Sequence, residues 1–127
     1  MIAVDTSALM AILLGEPEAD ACVTAIEQAD RLLISAGTVA EALIVAGRRK
    51  LGEEMAEMIG GLDFEIVPLT AASARRIAAA YGRWGKGIHP ASLNLGDCFS
   101  YQLAAERDCR LLFVGDDFTR TDIRPAL

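Results

Sequence analysis

Along this chain, short apolar runs alternate with longer stretches whose apolar residues recur every three or four positions, the periods of strand and helix. "MIAV" (1–4) is apolar and partly β-branched, and "DTS" (5–7) closes it with residues that favour helix starts. A strand therefore feeds directly into the helix "ALMAILLGE" (8–16). In "EPEADACVTAIEQAD" (16–30), Pro17 stands near a helix start, and Cys22, Ile26 and Ala29 fall on one face. "RLLIS" (31–35) reads as a second strand. "GTVAEALIVAGRRKLG" (37–52) reads as a helix ending in basic residues with Gly52 as its cap, and "EEMAEMIGGL" (53–62) as a shorter amphipathic helix. "FEIVPL" (64–69) has the length and branching of a buried strand, and "TAASARRIAAAYGRW" (70–84) the alanine content and cap of a helix. After the Gly/Pro/Asn loop "GKGIHPASLNLG" (85–96), a helix from about Leu95 leads to a fourth strand, "RLLFVG" (110–115), with room for a short last strand at Ile123.

Apolar strands alternating with helices imply a mainly parallel sheet of four to five strands covered on both faces, a three-layer αβα sandwich. At 127 residues and 53% hydrophobic content, the chain suits one domain spanning 1–127, with no repeat, linker or low-complexity segment. Its net charge of −6 argues against general nucleic-acid affinity and leaves local patches open. Cys22, Cys98 and Cys109 have no metal-ligand spacing and suit free thiols in a reducing compartment. The N-terminus lacks a basic leader, and the apolar run Ala8 to Leu14 is far shorter than a membrane span. The expectation is a soluble cytoplasmic protein with no membrane partner.

Most of the 18 acids sit in mixed polar stretches such as "EPEAD" and "EEMAE". Four places differ. Asp5 is the only charged side chain before Glu16, Glu41 the only one between Arg31 and Arg48, and Asp97 the only one between Lys86 and Glu106, with His89 neutral. Asp116 and Asp117 close an apolar strand after Gly115. Buried carboxylates need a partner or an opening, because desolvation costs several kcal/mol. Asp5 and Asp97 could be helix caps, but Glu41 lies in a helix body where no backbone N–H is available to it. Glu41 could instead face a solvent groove or bond a distant arginine.

Open parallel sheets place ligand sites beyond the carboxyl ends of their strands, which is where Asp5 and Asp116 would lie. Four gathered carboxylates repel one another, and a hard divalent cation relieves that repulsion. All-oxygen ligation suits Mg²⁺ or Mn²⁺, and the natural chemistry is phosphodiester hydrolysis.

The residues "IAVDTSALMAIL", "TVAEALIV", "HPASLNLGDCFSYQLA" and "LLFVGDDFTRTDI" resemble, in order and over essentially the whole chain, the motifs of PIN-domain nucleases, and among them the VapC-like toxins of type II toxin–antitoxin pairs. The resemblance implies a PIN-like sandwich, an endoribonuclease requiring Mg²⁺ or Mn²⁺, and an RNA substrate such as tRNA or another structured RNA. It also implies inhibition by a cognate antitoxin and a homodimer. Carried over by position, the catalytic acids are Asp5, Glu41, Asp97 and one of the "GDDF" pair. Asp116 is favoured over Asp117 for its place directly after the strand, and Asp5, Asp97 and Asp116 are the expected metal ligands. Thr6 and Ser7 either cap the first helix or also hold a metal-bound water or the scissile phosphate.

From Ile66 to Gly96 there is no acid, yet Arg75, Arg76, Arg83, Lys86 and His89 occur with Tyr81 and Trp84. Of these, Arg75, Arg76, Arg83, Trp84 and Lys86 are RNA-binding candidates, for phosphates and a stacked base, unless the arginines form a solvated face and Trp84 is core. His89 before Pro90 in a loop reads as structural. Two other readings compete. A haloacid-dehalogenase-like phosphatase would use Asp5 as nucleophile, but Ser7 stands where its second Asp belongs. A catalytically silent binding module would use the same acids for capping and partner contacts.

Overall fold

The computed structural model describes residues 1–127. Its elements are β1 (Ile2–Val4), α1 (Thr6–Leu14), α2 (Ala19–Gln28), β2 (Leu32–Ser35), α3 (Ala36–Arg48), α4 (Gly52–Gly61), β3 (Glu65–Val67), α5 (Ala71–Trp84), α6 (Leu95–Arg107) and β4 (Arg110–Leu112). The four strands form one sheet in the order β3-β2-β1-β4, and every pairing is parallel.

Alternation along the strands decides the layers. In register, Ala3, Leu33 and Leu111 turn to one face and pack with Ile77, Trp84, Cys98, Tyr101 and Leu103 of α5 and α6. Their neighbours Val4, Ile34 and Leu112 turn to the other, against Leu9, Cys22, Ile26, Ala42, Met55 and Ile59 of α1 to α4. Each fully buried leucine or isoleucine contributes roughly 1.5–3 kcal/mol, so a one-residue slip of a central strand would exchange its residues between the two cores and mispack both. The expected αβα sandwich with a parallel sheet of four strands is what forms. No helix is long and apolar enough to cross a membrane.

Several local expectations change. Gly52 does not cap α3: that helix stops at Arg48, Lys50 takes the left-handed conformation at φ 61°, and Gly52 is the first residue of α4. Pro17, as expected, stands near a helix start: it lies just before Glu18, the cap of α2, which begins at Ala19. β3 is not buried; it is a three-residue edge strand with Ile66 half exposed, because only β2 pairs with it. Charge marks that edge, where Glu65 lies between Arg31 and Arg107. β4 ends at Leu112, so Asp116 does not follow the strand directly. The last strand shrinks to one parallel bridge between Leu111 and Pro125, beyond Ile123, and Pro125 has no N–H to extend it.

Candidate functional site

The sheet order puts β2 on one side of β1 and β4 on the other, so the strand order reverses between β1 and β4 and opens a crevice at their carboxyl ends. Asp5, the first residue after β1, sits there as the N-cap of α1, only 4% exposed. Its Oδ2 accepts from Ser7 N at 3.1 Å and from Ser7 Oγ at 2.7 Å, and its Oδ1 accepts from Ser100 Oγ at 2.5 Å. Ser7 Oγ in turn accepts from Val114 N at 3.0 Å, which ties the chain leaving β4 to the carboxylate after β1. Thr38 Oγ1 lies 3.3 Å from Ser100 Oγ, so α3, α6 and α1 all contribute to the cradle. Burial pushes the Asp5 carboxyl up; the serine hydrogen bonds pull the other way, and the Asp117 charge adds to the rise.

Asp97 lies in the first turn of α6 and is 8% exposed. It closes a reciprocal cap: Asp97 N donates to Asn94 Oδ1 at 2.8 Å, and Asn94 N donates to Asp97 Oδ2 at 3.0 Å. Oδ1 of Asp97 takes no part in the cap. Burial raises this carboxyl to about 7; the Asn94 bond opposes that, while the Asp5, Asp117 and Glu41 charges reinforce it. Glu41 projects from the body of α3, half-buried, and accepts from Thr6 Oγ1 at 2.6 Å on Oε1. Its carboxyl is raised too, by burial first and Asp5 next, against the Thr6 bond. Three carboxylates from β1, α3 and α6 thus sense one another across the crevice.

Asp116 and Asp117 are both exposed on the turn that Gly115 makes at φ 97°. Asp117 is the one whose charge reaches Asp5 and Asp97. Asp116 instead lends its carbonyl to Thr119 N at 3.1 Å and Thr119 Oγ1 at 2.7 Å. All-oxygen donors that raise one another's proton affinity have the chemistry of a hard divalent-ion site. As they stand, no three acidic, His or Cys side chains converge into a ready-made ligand cluster. Serine and threonine hydroxyls hold Asp5 and Glu41 individually in place. Ser7, standing where a phosphatase of the haloacid-dehalogenase class needs its second Asp, is committed to Asp5 and Val114.

The basic segment divides sharply. Trp84 is buried in the core, edge-on to His89 at 4.7 Å and covered by the Arg83 guanidinium at 4.5 Å, so no base can stack on it. Arg76 pairs with Glu106, and Arg83 lies 3.9 Å from Asp122. Arg75 and Lys86 are exposed and form no ion pair. His89 Nδ1 accepts from Ala91 N at 3.0 Å, which fixes the loop before α6. Sequence reasoning missed Ser100, Thr38 and Gly96. Only Ser100 carried a signal, as a small polar residue one helical turn after Asp97 and so on its face of α6.

The description "PIN domain" belongs to the family model that matches residues 2–124. The VapC ribonuclease Mb0625 of Mycobacterium bovis and ribonuclease VapC28 of Mycobacterium tuberculosis are each 41% identical over 128 residues, covering 98% of this chain and 96% of theirs. Ribonuclease VapC30 of M. tuberculosis is 42% identical over 124 residues, 94% of both chains. Among solved structures, M. tuberculosis VapC20, described as a Sarcin-Ricin loop cleaving toxin, superposes with a TM-score of 0.75 at 16% identity, covering 98% of this chain and all of that one. A toxin–antitoxin complex from Klebsiella pneumoniae gives 0.73 at 19% identity, with 100% and 98% coverage. At those identities the two structures show a common fold.

Proposed function

The chain belongs to the PIN-domain family, in the company of its VapC ribonucleases, and from that premise we propose that it is a divalent-metal-dependent endoribonuclease. The observation that carries the reading is the placing of Asp5, Glu41 and Asp97 around one sheet edge, where Asp5 adds to the rise of the Glu41 carboxyl and both Asp5 and Glu41 add to that of Asp97. Such mutual repulsion costs stability until a cation relieves it. Asp5, Asp97 and, of the "GDDF" pair, Asp117 would hold Mg²⁺ or Mn²⁺, with Glu41 completing the acid set. When bound, such an ion supplies a water of lowered pKa and neutralises charge on the phosphate oxygens.

The protein's own part is positioning. Ser7 and Ser100 hold Asp5 from both carboxylate oxygens, and the α6 cap fixes Asp97 through Oδ2 while leaving Oδ1 unengaged. With its carboxyl near 7, Asp97 exchanges a proton at neutral pH, so cation binding there competes with that proton. Arg75 and Lys86, exposed in the segment that leads to Asp97, are the cations suited to the phosphates of an incoming RNA. VapC20, described as a toxin, and the toxin–antitoxin complex of the same fold support a cognate antitoxin as inhibitor. A homodimer, which the family resemblance implies, has an apolar surface available where Tyr81 and Leu95, 37% and 60% exposed, line one cleft.

The test is incubation of the purified protein with RNA in Mn²⁺ or Mg²⁺ and in chelator, beside Asp5→Asn and Asp97→Asn. Cleavage should require the ion and disappear in both variants. Cutting that persists in chelator, or in both variants, refutes the proposal.

A further inference from the structure

Gly96 is buried in the first turn of α6, between Leu95 and Asp97. Its backbone is not in the left-handed region, so no turn demands glycine there. Glycine is also a poor choice within a helix, because the chain loses the most conformational freedom in fixing it. Space supplies the reason. A Cβ on Gly96 would overlap Oε2 and the carboxyl carbon of Glu41 and lie 2.8 Å from Oε1. Beyond the local backbone of α6 and its chain neighbours, the three nearest atoms to that position all belong to Glu41. The Glu41 carboxylate, reaching across from α3, therefore rests against the bare face of α6 where a side chain would otherwise stand.

We propose that Gly96 is a positioning residue whose missing side chain forms the seat of the Glu41 carboxylate. This rests on the assignment of Glu41 to the active site. Two contacts define the seat: Thr6 Oγ1 holds Oε1 from α1 at 2.6 Å, and Gly96 leaves room for Oε2 on α6. A methyl group at position 96 cannot coexist with that placement. Because the obstructed atoms are the far end of a long, half-exposed side chain, the carboxylate swings away and the fold does not break. Gly96→Ala would thus remove Glu41 from the acid cluster without touching any acid. Gly37 is a contrasting case: its Cβ would meet the Phe99 ring, which is a packing contact between α3 and α6.

The experiment compares the full-length wild type, Gly96→Ala, Glu41→Asp and the double variant Gly96→Ala/Glu41→Asp. The crystal structure of Gly96→Ala should show Glu41 withdrawn from Thr6, with the melting temperature maintained. Calorimetric titration with Mn²⁺ should show affinity weaker by at least about tenfold, the loss typical when a positioning contact to a ligand is removed. RNA cleavage should fall alongside. Aspartate is one methylene shorter and clears the alanine methyl, so the double variant should bind Mn²⁺ and cut RNA better than Gly96→Ala alone, although Glu41→Asp by itself is harmful. Glu41 unmoved in Gly96→Ala, or a double variant no better than Gly96→Ala, overturns the seat. If the wild type neither binds Mn²⁺ nor cuts RNA, the nuclease reading fails, while the Gly96→Ala crystal structure still decides whether the seat exists.

Discussion

Replacing Asp97 by Asn should make the metal-free protein more stable above neutral pH. The native carboxyl is raised from 3.8 to about 7, so between those values the folded state binds more protons than the unfolded one. Stability is then greatest below pH 3.8 as far as this group is concerned, declines as pH rises through 7, and levels off above it. At about 1.4 kcal/mol per pH unit, the charged form costs the folded state about 4 kcal/mol at pH 8. Asparagine carries no charge, and its side-chain oxygen can still accept from Asn94 N as Asp97 Oδ2 does. Its amide group must find a partner of its own, which takes back about 1 kcal/mol or more. The net gain is about 2–3 kcal/mol, or roughly 10 °C in melting temperature for a domain of this size. The assay is thermal unfolding of both proteins in chelator from pH 4 to 9. The wild type should lose stability between pH 4 and 7, with the variant losing less over that range, because the raised Asp5 and Glu41 carboxyls remain in it, and being the more stable of the two at pH 8. Saturating Mn²⁺ should reverse the order at pH 8 by stabilising the wild type alone. A variant less stable than wild type in chelator at pH 8, or a flat wild-type profile, would refute the idea that desolvation and repulsion charge this site.

Ser100→Ala removes the 2.5 Å hydroxyl donor to Asp5 and the contact with Thr38, and should cost about 1.5–3 kcal/mol as a lost hydrogen bond to a charged group. The same loss disfavours the ionised Asp5, so the acid limb of a cleavage pH–rate profile should move to higher pH. Asp117→Asn should weaken Mn²⁺ binding measured by calorimetry, whereas Asp116→Asn should leave it near the wild-type value; equal losses in both would place the two acids alike. Trp84→Ala should lower stability by about 3–5 kcal/mol in urea unfolding, as a core deletion does. RNA affinity that falls with no loss of stability would show instead that Trp84 meets the substrate.

The sheet, its parallel sense and the helix layers were legible because a period of two in short strands and a period near 3.6 between them carry that information directly. Boundaries were less so where tertiary contacts decide them. Gly52 looks like a cap from α3's side, yet Lys50 turned the chain first and left Gly52 to start α4. "FEIVPL" reads as buried because β-branching reports strand propensity, and nothing in it says which strand stands at the edge. The isolated acids stood out because a lone carboxylate in apolar sequence is costly. Choosing within "GDDF" depended on the Gly115 turn, which local sequence does not orient. Arg83 and Trp84 formed a plausible RNA patch on composition, and packing made them a stacked pair over the core. The roles of Ser100 and Gly96 depend on α6 lying against α1 and α3, a placement that no local pattern contains.

The double duty of Asp97, as cap and as acid, has an evolutionary consequence. Aspartate and asparagine codons differ by one nucleotide, and under the ligand role proposed for Asp97 that change would keep the helix start, relieve the repulsion and silence the chemistry in one step. Drift toward inactivity is therefore downhill in folding free energy. A lineage can lose the nuclease while retaining a sturdier copy of the fold, so only selection on cleavage itself keeps the charge at this position.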